Sequence, residues 1–380
     1  MCIRDREEPE VLGWPAGPGF WAVTRHADVV RVLKDARTFS SRLGATQIRD
    51  PDPADLPFIR RMMLNQDPPA HGRLRRLVSR AFTPRRIDRF ATAVRERARG
   101  LLTAAAGAAR DGDGDGVCDI VADVTDDYAL LNLADLLGVP PGERGLMLDW
   151  TRRVIGYQDP DEAGCIRDRL GDMFAFAREL AAHKRAHPGD DVMTVLALDR
   201  ELATAELEMF FFLLTIAGND TVRSAAPGGL LALAGHPDAY RALRTGAVGA
   251  ATSVEELLRR HPPVLSFRRT AAYDTELAGR PVRAGDKVVV FHGAANHDER
   301  VFADPHRLDL GRDPNPHVSF GDGPHVCLGA HLARLQLRVL YEETCALVPV
   351  LDVAGPPRRL VSNFIHGLKS VRLRLGDRPA

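Results

Sequence analysis

The sequence predicts a mainly α-helical protein with small β-sheets, organised as one domain over residues 1–380. Three observations predict it. Met209–Ala217, M-F-F-F-L-L-T-I-A, is apolar nearly all round, which marks a fully buried helix within the stretch Thr204 to about Ala234. Leu328, Leu332, Leu335 and Val339 recur at spacings of four, three and four, which gives one buried face of another helix. Clear strand patterns are short, as in Gly19–Thr24 and Lys287–Phe291.

Composition narrows the function classes. The 51 basic and 51 acidic residues balance, so nothing calls for nucleic acid or an acidic membrane surface. Cys2, Cys118, Cys165, Cys327 and Cys345 are odd in number and scattered, which suits a reducing cytosol rather than a disulfide framework. The opening M-C-I-R-D-R-E-E-P-E is charged and has no apolar h-region, so it is not a signal peptide. The longest apolar run, near Met209–Ala217, falls short of the ~20 residues of a membrane helix. A cytoplasmic protein with no membrane anchor is expected.

In chain order, Met1–Arg6 shows no pattern, Gly19–Thr24 reads as strand, and Ala27–Leu33 as helix. Ser40–Pro57, with Pro51, Pro53 and Pro57, reads as a mobile loop. Asp67–Pro84 opens on two prolines that suit a helix start, and His71 and Arg75, four apart, share a helix face. Arg85–Ala108 continues as helix. D-G-D-G-D-G from Asp111 resembles the start of a calcium loop, but position 12 is Ala122 or Val124, so it reads as a solvated turn. Helices follow around Ile120–Leu137, Gly142–Ile155 and Ala163–His187, with a break at Gln158–Glu162. Thr204 suits a helix cap, with Glu206 and Glu208 in the first turn. On residues alone, Gly218–Thr221 reads equally well as a helix stop followed by a new helix capped by Asp220 or Thr221. Pro227 should remove a hydrogen bond and kink any helix that continues through it. Glu256 and Arg259 lie three apart on one helix face, and Pro262–Pro263 ends that helix.

The stretch Val318–Leu335 carries the chemistry. A glycine-rich loop runs into Cys327 and a helix follows. A lone Cys beside a turn is usually a small core residue. At a helix N-terminus, however, the dipole and unpaired N–H groups draw a thiol towards thiolate, the metal-binding form. Phe320, Gly321 and Gly323, His325, Cys327 and Gly329 contain the spacing F-x-x-G-x-H-x-C-x-G. This closely resembles the haem-ligand loop of the cytochrome P-450 family. The resemblance runs from about Phe20 to the end, and against the family the chain begins late, lacking an opening stretch and a first helix.

The resemblance implies the family fold, with haem b between the long central helix and the Cys-bearing helix. It implies that Cys327 is the axial thiolate on iron. Phe320, Gly321, Gly329 and Ala217 would line the cofactor, and His71, Arg75, Arg269 and His325 would donate to the haem propionates. A-G-N-D-T at 217–221 resembles the oxygen-activation motif, in which a small residue and Gly distort the helix to make room for oxygen; Asp220 and Thr221 would be the catalytic acid and alcohol that pass protons. Val222 stands where most members have a second Thr or Ser. Glu256 and Arg259 resemble the buried E-x-x-R pair, with Arg307 as its third member. Ser40–Pro57 and the helix pair Gly142–Ile155 and Ala163–His187 would cap the pocket, lined by Leu213, Leu214, Ala217, Val264 and Leu265.

The implied activity is a haem-thiolate monooxygenase that inserts one atom of O2 into a C–H bond of an apolar substrate. A-G-N-D-T-V-R and G-D-K-V-V-V-F-H-G-A-A-N-H-D-E-R look most like members acting on steroid side chains, branched lipids and terpenoids; polyketide or other natural-product tailoring is the alternative. No flavin or iron–sulfur segment accompanies the motifs, so electrons are expected from a ferredoxin and its reductase, docked at Arg73, Arg76, Arg80 and Arg334. Rival classes are a peroxide-driven peroxygenase and a non-catalytic haem sensor.

Overall fold

The structure, a computed structural model, describes residues 3–10, 16–111, 116–155 and 167–376. Most of the D-G-D-G-D-G turn and the break at Gln158–Glu162 lie outside the described residues, as do Cys2 and Cys165.

The helices run α1 (His26–Lys34), α2 (Leu56–Ile59), α3 (Ala70–Ser79), α4 (Pro84–Asp88), α5 (Ala91–Asp111), α6 (Asp126–Leu137) and α7 (Arg144–Ile155). They continue with α8 (Arg167–Ala186), α9 (Val192–Leu198), α10 (Thr204–Ala234), α11 (Pro237–Arg244), α12 (Ala250–Arg260), α13 (His292–Ala295) and α14 (Ala330–Leu347). The strands are β1 (Ile3–Glu8), β2 (Gly17–Val23), β3 (Phe39–Ser40), β4 (Val117–Asp119), β5 (Ser266–Ala271) and β6 (Thr275–Leu277). After them come β7 (Arg280–Val282), β8 (Lys287–Phe291), β9 (Leu351–Val353), β10 (Arg358–Arg359), β11 (Leu368–Ser370) and β12 (Arg372–Leu375).

The main sheet has the order β1-β2-β8-β5-β3, with β2 and β8 parallel and the other neighbours antiparallel. The unpatterned N-terminus is therefore a strand. It pairs at the sheet edge through backbone bonds, which no side-chain alternation needs to announce. Val288 and Val290 of β8 pack with Val29, Val32 and Leu33 of α1 in one cluster, and the helices share a second, larger one.

At the centre of that larger cluster, α10 runs as one helix, so the stop at Gly218–Thr221 is not made. Its N-cap is Ala203 rather than Thr204; the Glu206 carboxylate accepts from the Ala203 N–H at 3.1 Å, leaving Thr204 as the first helical residue. The helix continues through buried Pro227 to Ala234, because packing on all sides outweighs one missing hydrogen bond. Just beyond, a Cβ on Gly229 would lie 2.0 Å from the Tyr341 hydroxyl and one on Gly228 2.2 Å from the His261 ring. Glycine here leaves room on α10 for the Tyr341 ring of α14 and for the His261 ring that follows α12.

Glu256 and Arg259 are fully buried and bidentate, with Nε to Oε2 at 2.7 Å and Nη2 to Oε1 at 2.8 Å. Their third member is Arg312, not Arg307. Arg312 Nε donates to Glu256 Oε2 at 3.1 Å, whereas Arg307 is exposed and offers only its carbonyl to Arg259. The irregular chain between α13 and the Cys loop turns back on itself and brings the later arginine inward.

Candidate active site

The site lies between the middle of α10 and the loop that precedes α14. The loop is shaped by glycines with positive φ, +72° at Gly321 and +68° at Gly323. A Cβ on Gly323 would sit 2.5 Å from the Leu33 carbonyl oxygen, so only glycine lets the loop close on α1. The Cys327 N–H donates to the Phe320 carbonyl at 2.8 Å, which folds the loop over and presents the thiol. The α14 cap is Gly329, so Cys327 stands two residues ahead of the cap rather than at the first turn.

Cys327 is exposed, yet the groups crowded around its thiol push it up by burial. Both hold for a side chain that faces an internal cavity. The Gly329 N–H, Arg75 and Arg334 act in the opposite direction but do not outweigh burial. A bound metal cation is what tips such a thiol to thiolate.

The opposite wall is α10. Most of this helix is buried, but Ala217 is exposed in its middle, and Leu213, Leu214 and Thr221 are only partly buried. Leu213, Ala217 and Thr221 are four apart and Leu214 three before Ala217, so they form one stripe along α10. Gly218 does not add to this space: a Cβ there would meet Leu133 of α6 at 2.8 Å, so this glycine serves helix packing and the opening lies at Ala217. No change of helix type interrupts α10. The Thr221 hydroxyl donates to the Ala217 carbonyl at 2.8 Å. Asp220 is buried, with Oδ1 3.9 Å from Arg223 Nη1.

At the cavity edge, His71, Arg75, Arg269 and His325 come together from α3, β5 and the Cys loop. The His71 and His325 ring centroids are 4.0 Å apart. Burial pushes the Arg269 guanidinium down to about 10 and His325 down to about 2, and His325 is further repelled by Arg269, His71 and Arg75. His71 and Arg75 are lowered too, by burial first. Asp67 partly offsets the charge at His71 and Arg269, but its carboxylate already accepts from Ser40 Oγ and the Ser41 N–H. Groups held back from their charges in this way call for an anion. The two carboxylates of haem supply one, so the residues present fit that group. His325 also lies 3.3 Å from Ser41 Oγ and meets the Gln66 carbonyl, so Ser41 joins the set without a sequence signal.

Val264 and Leu265 are partly buried and tied to a later segment, by the Val264–Ile365 bridge and by Leu265 N–H to the Phe364 carbonyl at 2.8 Å. Phe58 of α2, Phe174 of α8 and Phe212 of α10 make ring contacts at 6.1 and 6.3 Å, which joins both capping segments to the central helix. The Ser40–Pro57 loop has no long element and is tied at Asp50 by Arg268 (2.6 Å) and Lys287 (2.7 Å). The expected basic patch is largely neutralised. Arg73 pairs with Glu206, Arg80 with Asp199 at 3.4 Å and Arg334 with Glu255 at 2.7 Å, while Arg76 is exposed.

A family profile described as cytochrome P450 matches residues 250–344, which include the E-x-x-R pair and the Cys loop. A methyl-branched lipid omega-hydroxylase of Mycobacterium bovis is 38% identical over 371 residues, covering 95% of this chain and 85% of that protein. The chain belongs to the cytochrome P450 family. As a P450 it is an oxidoreductase that incorporates oxygen from O2, and its cofactor is haem b. A steroid C26-monooxygenase of Rhodococcus jostii is 35% identical, covering 96% of this chain and 78% of that one. The solved structure of Mycobacterium marinum cytochrome P450 CYP268A2 in complex with pseudoionone superposes with a TM-score of 0.88 at 37% identity, covering 98% of this chain and 91% of that chain. Among the described residues, no helix is long and apolar enough to cross a membrane.

Proposed function

We propose that this P450 hydroxylates an extended apolar substrate of the steroid side-chain, branched-lipid or terpenoid class, with electrons from a separate ferredoxin and its reductase. The observation that carries it is the apolar stripe of Leu213, Leu214 and Ala217 left uncovered on the otherwise buried α10, in a chain whose relatives are named for lipid and steroid hydroxylation. Haem bound through a thiolate supplies oxygen activation and C–H oxidation. Cys327 provides the thiolate. His71, Arg75 and Arg269, with His325 and Ser41 behind them, hold the propionates and fix the cofactor's orientation. Phe320, Gly321, Gly329 and Ala217 would line the cofactor.

Thr221 keeps its hydroxyl at the cavity wall by donating to the Ala217 carbonyl, so its lone pairs can receive a hydrogen bond from solvent while its proton is held in reserve. Asp220 is the acid that passes protons inward from the α6 side. Val264 and Leu265 close the pocket, and the Phe58–Phe174–Phe212 contacts hold the cap against α10. With three of the four docking arginines paired, Arg76 and the exposed Val326 beside Cys327 are the features left to meet a ferredoxin.

The test is spectroscopic. The reduced, carbon-monoxide-bound protein should show a strongly red-shifted Soret band, and methyl-branched fatty acids or steroids with aliphatic side chains should shift the ferric spin state. Turnover with ferredoxin, reductase and NADPH should then give a hydroxylated product. Spin-state shifts confined to polyketides or carrier-bound substrates would replace the substrate class with natural-product tailoring. Haem binding without turnover would leave a sensor.

A further inference from the structure

The end of α8 carries two histidines that no part of the oxygenase site uses. His183 and His187 are four apart, a spacing that brings side chains onto one helix face, one turn above the other. Their rings lie side by side, with centroids 4.8 Å apart and planes 28° from parallel. Both residues are exposed, and among the described residues no side chain or carbonyl engages a nitrogen of either ring.

The pair is set in place by its backbone. His187 stands just past Ala186, the last residue of α8, yet it keeps helical register, because its N–H donates to the His183 carbonyl at 2.8 Å. The chain beyond is tied as well. Pro188 does not extend the helix. The Gly189 N–H donates to Thr194 Oγ1 at 3.0 Å, and Asp191 caps α9 by accepting from the Thr194 N–H at 2.8 Å. Lys184 Nζ reaches the same Asp191 at 2.7 Å and fastens α8 to the start of α9.

The surroundings suit a cation. The pair stands at the C-terminal end of a 20-residue helix, where the dipole favours positive charge. The nearby basic side chains are drawn elsewhere: Lys184 to Asp191, Arg185 Nε to the Ala197 carbonyl at 2.9 Å, and Arg178 to Glu208 at 2.6 Å. Exposed Glu179 lies one turn below His183 on the same face and adds negative charge there.

We propose that His183 and His187 form a site for a divalent transition-metal cation of the zinc, copper or nickel class. Imidazole suits such cations, whereas magnesium and calcium take oxygen ligands. Two histidines at i and i+4 on one helix face are the spacing with which a helix holds zinc. A bond of about 2.0–2.1 Å from each ring puts the ion at the shared edge of the two rings, which small rotations of exposed side chains allow. Among the described residues no third His, Cys, Asp or Glu completes a cluster, so water fills the remaining positions. The ion staples the last turn of α8, a helix that joins the cap through Phe174.

The test uses the haem-loaded enzyme without an affinity tag, so that Cys327 is taken up by the cofactor. Titration calorimetry with zinc chloride should show binding, and magnesium chloride none. His183→Gln and His187→Gln should each weaken zinc binding by about a hundredfold, because a chelate becomes a single ligand. Both positions are exposed, so each variant should keep the wild-type Tm without metal, whereas zinc should raise Tm for the wild type alone. Affinity should fall from about pH 7.5 to about pH 5.5, because a protonated imidazole does not ligate. Zinc that binds equally well to the wild type and both variants, or not at all to the wild type, overturns the proposal. So does magnesium that displaces zinc.

Discussion

Replacing Arg312 by alanine tests the buried ion cluster that holds the Cys loop in place. The Arg312 side chain is 10% exposed and donates to fully buried Glu256 at 3.1 Å, to the Ala303 carbonyl at 2.8 Å and towards the Asp304 carbonyl at 3.4 Å. A hydrogen bond to a charged group contributes about 1.5–3 kcal/mol, and each neutral one about 1. Glu256 keeps Arg259, the Asp309 N–H at 3.1 Å and Asn315 Nδ2 at 3.1 Å, so it is not stranded; the 3.4 Å contact adds little, and the other two bonds put the total loss at about 3 kcal/mol. Unfolding entropy scales to about 0.8 kcal/mol/K for 380 residues, so Tm should fall by about 4 °C. Arg307→Ala is the control. Its side chain is exposed and its carbonyl remains, so stability should change by less than about 0.5 kcal/mol. Thermal denaturation followed by circular dichroism, with haem retention read from the Soret band, measures both. Equal losses in the two variants, or a larger one in Arg307→Ala, would refute Arg312 as the third member of the cluster.

Further outcomes follow from the site. Cys327→Ser should abolish the red-shifted Soret band of the reduced, carbon-monoxide-bound protein, because no other thiol among the described residues adjoins the cavity stripe; persistence of the band would move the ligand elsewhere. Thr221→Ala should keep haem and oxygen consumption but divert turnover to peroxide, and tightly coupled product formation would remove its role. Glu255 is depressed to about 2 as its bonds to Arg334 and His317 outweigh the opposing effect of burial. Its contribution, on the order of 3 kcal/mol, is therefore present above the usual carboxylate value and lost as pH falls from about 4.5 to 2. Glu255→Gln should flatten the acid limb of a stability-versus-pH curve, and an unchanged limb would remove it as a contributor.

Where side chains announce themselves through chemistry or period, the sequence was sufficient. The buried face of Leu332, Leu335 and Val339 lies where apolar spacing put it, although Leu328 falls ahead of α14 and is only partly buried, and the Cys loop was legible because its glycines and its thiol stand at fixed offsets; the run of α10 through Gly218–Thr221 was not legible from the residues alone. What escaped was set by chain path. Arg312 and Arg307 are five apart in irregular backbone, and nothing local tells which one turns inward. Ser41 meets His325 across 284 residues of sequence, so no local pattern announces it. Arg73, Arg80 and Arg334 read as a free basic patch because their carboxylates, Glu206, Asp199 and Glu255, come from distant helices or turns.

The contact of α10 with α14 at Gly229 and Tyr341 works as a pivot. From it α10 runs back 12 residues to Ala217, about 18 Å of helix, and α14 runs back 11 residues to its start at Ala330, about 17 Å. At that contact the Tyr341 hydroxyl stands where a Cβ of residue 229 would be and donates to the Ala225 carbonyl at 3.3 Å, so the missing side chain is the socket for a ring of the other helix. A methyl group at 229 would unseat the ring and strand a buried hydroxyl. The two helices that carry Ala217 and follow Cys327 are thus keyed to each other by an empty place in one and a phenol in the other.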